Sequence, residues 1–340
     1  TGHTGFKGSW ISRVLINSGA KVVGYSLQPT SKENLFSICN NKDMKSFIGD
    51  IRDLEKLKKV FAETQPEMVI HLAAQPLVIE SYVNPVYTYE TNVMGTVNMC
   101  ECVRMFTCVK SFLNVTTDKV YKNKEWEWGY REDELLDGFD PYSNSKSCSE
   151  LVTHSYKNSF FQDDRVAIST ARAGNVIGGG DFAENRIIPD CVRAVLSNQI
   201  IKVRNPYSIR PYQHVLEPIM AYLMILQRQY EDRNLQGYYN VGPEDKDCIT
   251  TGQVVSLFCE KWGDNVKWIS QSEHAFHEAN FLKLDCSRLK NTFGWIPSWN
   301  IETAIEKTVE WTKHYSNNKD VSKCMDEQIK EFIKEMSNGR

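Results

Sequence analysis

Short apolar segments of strand character alternate with helix-periodic segments through the first half of the chain, and this order leaves few folds open. Residues 21–27 and 45–49 read as strands, Asp53 as the cap of a helix bearing Leu54, Leu57, Val60 and Phe61, and 68–74 as a continuous buried strand. A helix over 87–106, a strand over 111–116, a helix over 143–160 and a strand over 166–171 complete the series. Parallel strands need helical crossovers between them. The alternation therefore predicts an α/β protein, a doubly wound parallel sheet of Rossmann type, with a smaller substrate-binding lobe. Beyond about Gly178 the pattern breaks into loops and short elements, punctuated by Gly178-Gly179-Gly180, Asn205-Pro206, Gly242-Pro243 and Ile296-Pro297. The expected division is 1–177, with a return segment at about 207–241, for the dinucleotide-binding domain, and 178–206 with 242–340 for the substrate lobe.

The chain opens on Gly2-His3-Thr4-Gly5-Phe6-Lys7-Gly8, followed by the periodic Trp10, Ile11, Val14 and Leu15 and closed by Gly19 as a C-terminal cap. Glycines let backbone N–H groups approach a pyrophosphate, and a helix N-terminus favours its charge. Such a turn needs a buried strand directly ahead of it. Residue 1 is Thr1, so a strand rich in Val, Ile and Phe is expected upstream in the native protein.

Forty basic against forty-three acidic residues leave no cationic excess for a nucleic-acid surface. Apolar runs are broken by charges well short of the 18 residues that a membrane span requires. The ten cysteines form no Cys-x-x-Cys pair and read as free thiols of a reducing, cytoplasmic compartment. His274 and His277 have no thiol or carboxylate at ligand spacing, so no metal is expected.

Asp140-Pro141-Tyr142-Ser143-Asn144-Ser145-Lys146 puts a phenol and an ammonium four residues apart where a helix begins, hence on one face. A lysine beside a tyrosine favours phenolate and makes a base for a sugar hydroxyl. At the strand ends, Asp50 and Ile51 are placed to flank an adenine, and Leu72, Ala73, Ala74 and Asn92 to lie against ribose and phosphates. Thr116 completes this set. Tyr25-Ser26-Leu27 carries neither the acid expected for NAD nor an arginine for NADP, which leaves that choice open. Thr117-Asp118-Lys119 then adds a hydroxyl, a carboxylate and an amine at the sheet's carboxyl edge, more than a redox step requires.

With 2–8, His71–Val78, Thr91–Thr96, Thr117–Lys119, Asn123–Glu132, Ala173–Asp181, Ile209–Glu217 and Leu282–Ser287 taken together, nearly the whole chain resembles the CDP-glucose 4,6-dehydratases of the extended short-chain dehydrogenase/reductase group. Lys119 and the 123–132 insert point to that branch. Tyr212, where the pattern usually has tryptophan, and Val120, where cysteine is frequent, are departures expected to touch packing more than chemistry. The resemblance implies NAD as cofactor, CDP-glucose as substrate, and a homodimer, or a tetramer built from it, joined through a four-helix bundle. It implies Thr117, Asp118, Lys119, Tyr142 and Lys146 as catalytic residues. Gln75, Asn175, Arg186, Arg210 and, more weakly, Arg204 and His277 would hold the substrate. Other dehydratases of the group carry Asp-Glu where this chain has Asp118-Lys119, so Lys119 is expected as base at carbon 5 and Asp118 as acid at carbon 6, the reverse assignment being the alternative. A nucleotide-sugar 4-epimerase and a non-catalytic dinucleotide-binding scaffold are the competing functions.

Overall fold

The computed structural model describes residues 1–29, 31–39, 41–161, 165–271 and 279–338. Helix α1 (Phe6–Asn17) leads into strand β1 (Val22–Ser26), and β2 (Met44–Ile48), α2 (Leu54–Thr64) and β3 (Met68–His71) follow. Next come α3 (Gly95–Met105), β4 (Ser111–Thr117), α4 (Pro141–Phe160) and β5 (Ala167–Ala173). Two later elements return to this layer, α5 (Leu216–Glu231) and β6 (Tyr238–Val241). All six strands pair in parallel, β1 with β2 in one sheet and β6-β5-β4-β3 in the other. Thr1 and Gly2 lie between the sheets, Thr1 N donating to Ile70 O at 2.7 Å and Gly2 N to Tyr25 O at 2.9 Å.

Local chemistry explains the element ends. Gly19 adopts φ +76° just beyond α1, a left-handed position that glycine takes without steric cost. Asp53 caps α2 by accepting from Lys56 N at 3.0 Å. The third strand stops at His71, three residues short of the expected 74, because Leu72 N and Ala73 N leave the ladder to donate to Thr1 Oγ1. The helix expected over 87–106 is broken by a π-turn at Glu90–Met94 between Pro85–Tyr89 and α3, a device frequent at functional sites.

Apolar side chains cover both faces of the larger sheet. Phe112 and Ile168 pack with Leu57, Phe61, Met99 and Val103 from α2 and α3. On the opposite face Leu113, Val115, Ala171 and Ala173 pack with Ala221, Tyr222 and Ile225 of α5. Beyond Ala173, short strands and the helices Ile187–Leu196, Thr251–Trp262 and Ile301–Ser316 build a separate apolar cluster around Tyr212, Phe258 and Ile305. The insert ties the two regions: Glu125 accepts from Asn280 N and Phe281 N, and Glu132 from Asn240 N at 2.9 Å.

Candidate active site

Proline at N1 and Asp140 at the N-cap start α4, the carboxylate accepting from Ser143 N at 2.9 Å and Ser143 Oγ at 2.6 Å. One turn apart on this helix, Tyr142 and Lys146 are both buried, and Lys146 Nζ donates to Val115 O of β4 at 3.2 Å. Burial pushes the Tyr142 phenol up to about 12, with Thr117 and Arg186 pulling it down and Asp118 and Asp140 adding to the rise. Burial first, then the field of Lys7, lowers the Lys146 ammonium to about 7 against the opposing Glu150. The expectation that Lys146 depresses Tyr142 is therefore not met by the protein's own charges. Desolvation disfavours the ionised form of both groups, and for the tyrosine it outweighs its neighbours.

At the end of β4 the chain turns through Asp118–Val120. Asp118 is fully buried, and its Oδ1 accepts from Thr117 Oγ1 and from Lys119 Nζ, each at 2.9 Å. Lys119 Nζ, with its side chain 27 % exposed, also donates to Asn175 Oδ1 at 3.1 Å. A carboxyl and an amine are thus in contact at the carboxyl edge of the sheet, near a buried tyrosine.

Alternation along β4 sends Thr116 to the opposite face from Thr117. Its hydroxyl donates to Glu150, which forms a buried ion pair with Arg172 at 3.0 Å. This side chain is not at the cofactor position expected of it. Thr116 instead joins the network that seats α4 against the sheet.

The glycine turn forms a close cradle. Gly2 holds φ +73°, and a Cβ on Gly8 would stand 2.0 Å from Gly2 O, while one on Gly2 would stand 2.9 Å from Ala73 N. Gly5, the N-cap of α1, offers no side chain to the first-turn amides, which are thus left for a ligand. The cradle and the uncapped twelve-residue helix fit a pyrophosphate. Phe6 packs into the core beneath. Lys7, on the first turn, is lowered to about 8 by burial and by Arg186, which adds positive charge beside Lys119 and Lys146. Thr4 Oγ1 is occupied by Leu27 O at 2.9 Å and Ser26 Oγ at 2.8 Å, so it shapes the turn rather than facing a ligand.

Asp50 pairs with Arg52 at 2.8 Å, and Arg52 reaches on to Glu90 at 2.7 Å and covers the Tyr87 ring. Asp50, Arg52 and Glu90, with Asp53 and Met94, line an open cavity. Ile51 is buried beneath it against Gly95. Leu72 and Ala73 abut Gly2 through their backbone, with Ala74 next in the loop. Asn92 does not point into the site: it accepts from Gln75 N at 2.8 Å and donates to Gln75 O and Ser145 Oγ, clamping the loop after β3 to α4. The Gln75 side chain likewise turns inward, to Leu77 and Thr88. Both residues hold the site's frame, against the expectation of direct ligand contact.

Of the arginines, Arg186 pairs with Asp181 at 3.0 Å and its field reaches Tyr142 and Lys7. Arg210 is buried, donating to Ile209 O at 3.0 Å and to Ala279 O. Arg204 stands apart, half-buried, with Asn185 O at 3.4 Å. His274 and His277 lie outside the described residues. Sequence reasoning missed Arg52, for which its place two residues after Asp50 was a usable turn signal, and it missed the Glu150–Arg172 pair. Among the described residues no cluster of His, Cys, Asp or Glu could hold a metal ion, and no helix is long and apolar enough to cross a membrane.

The model of the GDP-mannose 4,6 dehydratase family matches residues 1–308. A CDP-glucose 4,6-dehydratase of Salmonella typhimurium strain LT2 is 47 % identical over 340 residues, covering 98 % of this chain and 95 % of the relative. The dTDP-glucose 4,6-dehydratase of Escherichia coli is 26 % identical, over 94 % of this chain and 93 % of its own. Among solved structures, the Thermus thermophilus UDP-glucose 4-epimerase in complex with NAD superposes with a TM-score of 0.80 at 25 % identity, over 92 % of this chain and 97 % of that one. With its family model matched over most of its length and a near full-length relative at 47 % identity, the chain belongs to the GDP-mannose 4,6 dehydratase family.

Proposed function

We propose that this protein is a CDP-glucose 4,6-dehydratase that works with NAD in the cytoplasm. The observation that carries the reading is Lys119 in contact with Asp118 and Asn175, an amine in place of the carboxylate that the Asp-Glu dehydratases carry. Ten free thiols accord with a reducing compartment. Residues 1–177 with 207–241 would carry the cofactor, and 178–206 with 242–340 the sugar nucleotide.

Gly2, Gly5, Gly8 and the first-turn amides of α1 would hold the cofactor's pyrophosphate, and Lys7 and Arg186 add positive charge nearby. When bound, NAD accepts hydride from carbon 4 and returns it to carbon 6. Tyr142 takes the proton of the carbon-4 hydroxyl. Its high pKa must fall for this, and positive charge brought close by the ligands would join Thr117 and Arg186 in lowering it. Elimination then needs a base at carbon 5 and an acid at carbon 6. Transfer of one proton from Lys119 to Asp118 within their hydrogen bond creates both at once, a neutral amine and a carboxylic acid. Lys119 removes the carbon-5 proton, which the carbon-4 ketone has acidified. Asp118 protonates the departing hydroxyl to water, and the pair returns to ammonium and carboxylate. Asn175 and Arg186, with Arg210 and more remotely Arg204, would bind the substrate, the arginines pairing its pyrophosphate.

Incubation with CDP-, UDP- and dTDP-glucose tests the reading. A 4-keto product from CDP-glucose in preference to the other two is expected, and none from CDP-glucose overturns it.

Exposed apolar side chains support the proposed homodimer. Val86, Met94, Leu151 and Phe160 are each at least half exposed on the helices 85–105 and α4. An apolar face of this kind takes a partner, and a two-fold dimer through a four-helix bundle covers it.

A further inference from the structure

The two carboxyl oxygens of Asp118 have different surroundings. Oδ1 accepts from Thr117 and Lys119. Oδ2 is buried and meets no hydrogen-bond donor among the described residues. A second orphan lies on the helix packed beneath. Tyr222 of α5 is 0 % exposed within the cluster of Leu113, Val115, Ala171, Ala173 and Val241, and its hydroxyl also has no partner among the described residues.

Helix α5 packs on β4 and β5, with its N-terminal end beside the strand Gln213–His214. Helical side chains lean toward the N-terminus of their helix. That lean carries the Tyr222 phenol toward the carboxyl end of β4, where Asp118 stands. The fields of Tyr142 and Asp118 both act on this phenol. A buried polar group without a partner costs about 1–3 kcal/mol, and here two complementary ones occupy neighbouring elements.

We propose that Tyr222 is a positioning residue for Asp118, its hydroxyl serving Oδ2 across one buried water. The proposal rests on the reading of Asp118 as the acid of the elimination. An acid that cycles needs a partner for both of its states. A hydroxyl qualifies, since it donates to a carboxylate and accepts from a carboxylic acid. A phenyl ring in the same place does neither.

The test is Tyr222→Phe, alone and combined with Asp118→Asn, assayed with NAD and CDP-glucose beside the wild type. The single variant should keep its melting temperature and a KM within about twofold, because the ring packs as before and touches no substrate. Its kcat should fall about tenfold or more, less than the about 10² to 10⁴ that a general acid itself supplies, and NADH should accumulate because oxidation outruns elimination. In the Asp118→Asn background Tyr222→Phe should cost nothing further, since residues acting through one another are not additive. Wild-type kcat in Tyr222→Phe, a loss that multiplies with that of Asp118→Asn, or a fall in NADH formation would each overturn the assignment. Failure of the wild type itself to form a 4-keto product from CDP-glucose is a separate result, which removes the reading of the function and this inference with it.

Discussion

Lys119 Nζ lies 2.9 Å from Asp118 Oδ1, so the acid and base proposed for the elimination are hydrogen-bonded to each other and can trade the proton that arms both. In deuterated water, Lys119→Met should still oxidise carbon 4, seen as transient NADH, but lose deuterium incorporation at carbon 5. Normal exchange in that variant, together with its loss in Asp118→Asn, would swap the two roles.

Tyr142→Phe should leave fold and cofactor binding intact and reduce oxidation at carbon 4 by about 10² to 10⁴, because the ring packs alike and the base is gone. Single-turnover NADH formation reads this directly. Wild-type turnover would remove Tyr142 from the mechanism.

A methyl group on Gly8 has no room, its carbon falling 2.0 Å from Gly2 O in the backbone. Gly8→Ala should destabilise the protein by about 1–3 kcal/mol, as overpacking does, and weaken NAD binding more than sugar-nucleotide binding. Titration with each ligand separates these effects, and equal weakening of both would argue against a cofactor cradle at this turn.

Arg172 and Glu150 are both almost wholly buried and paired at 3.0 Å. Arg172→Met strands the Glu150 charge, and removing one partner of such a pair costs about 3–5 kcal/mol. Denaturant unfolding should register a loss of that order.

Burial raises Glu217 to about 8, with Asp247 and Glu335 adding to the effect and the amides of Ser298 and Trp299 opposing it. Between its ordinary value of 4.5 and about 8, the folded protein holds a proton that the unfolded chain has released. Stability from this group therefore declines as pH rises through that window. Glu217→Gln should remove the decline, and the difference in unfolding free energy should move in the variant's favour between pH 5 and pH 8. A difference independent of pH would mean that Glu217 does not titrate there.

Leu151→Glu places a charge on the most exposed apolar side chain along α4 and should shift a dimer toward monomer in light scattering. A wild type that is monomeric at micromolar concentration would contradict the proposed assembly.

Features set by local pattern were the legible ones. Alternating strands and helices, the glycine turn, the Asp53 cap and the face shared by Tyr142 and Lys146 all follow from neighbours in sequence. What long-range packing decides was harder to read. The inward turn of Gln75 and Asn92 and the partnership of Arg172 with Glu150 join residues 13 to 53 positions apart, and the burial that lifts Tyr142 likewise depends on packing across the fold. Thr116 is a different case, since strand parity alone separates it from Thr117.

The most direct test of the central claim follows one deuterium atom. With CDP-glucose labelled at carbon 4, in ordinary water, the proposed sequence carries the label to the cofactor and back to carbon 6. Mass spectrometry or NMR of the product should find a 4-keto-6-deoxy sugar with the deuterium at carbon 6. Label remaining at carbon 4 of an epimerised sugar, or an unchanged substrate, would contradict the account.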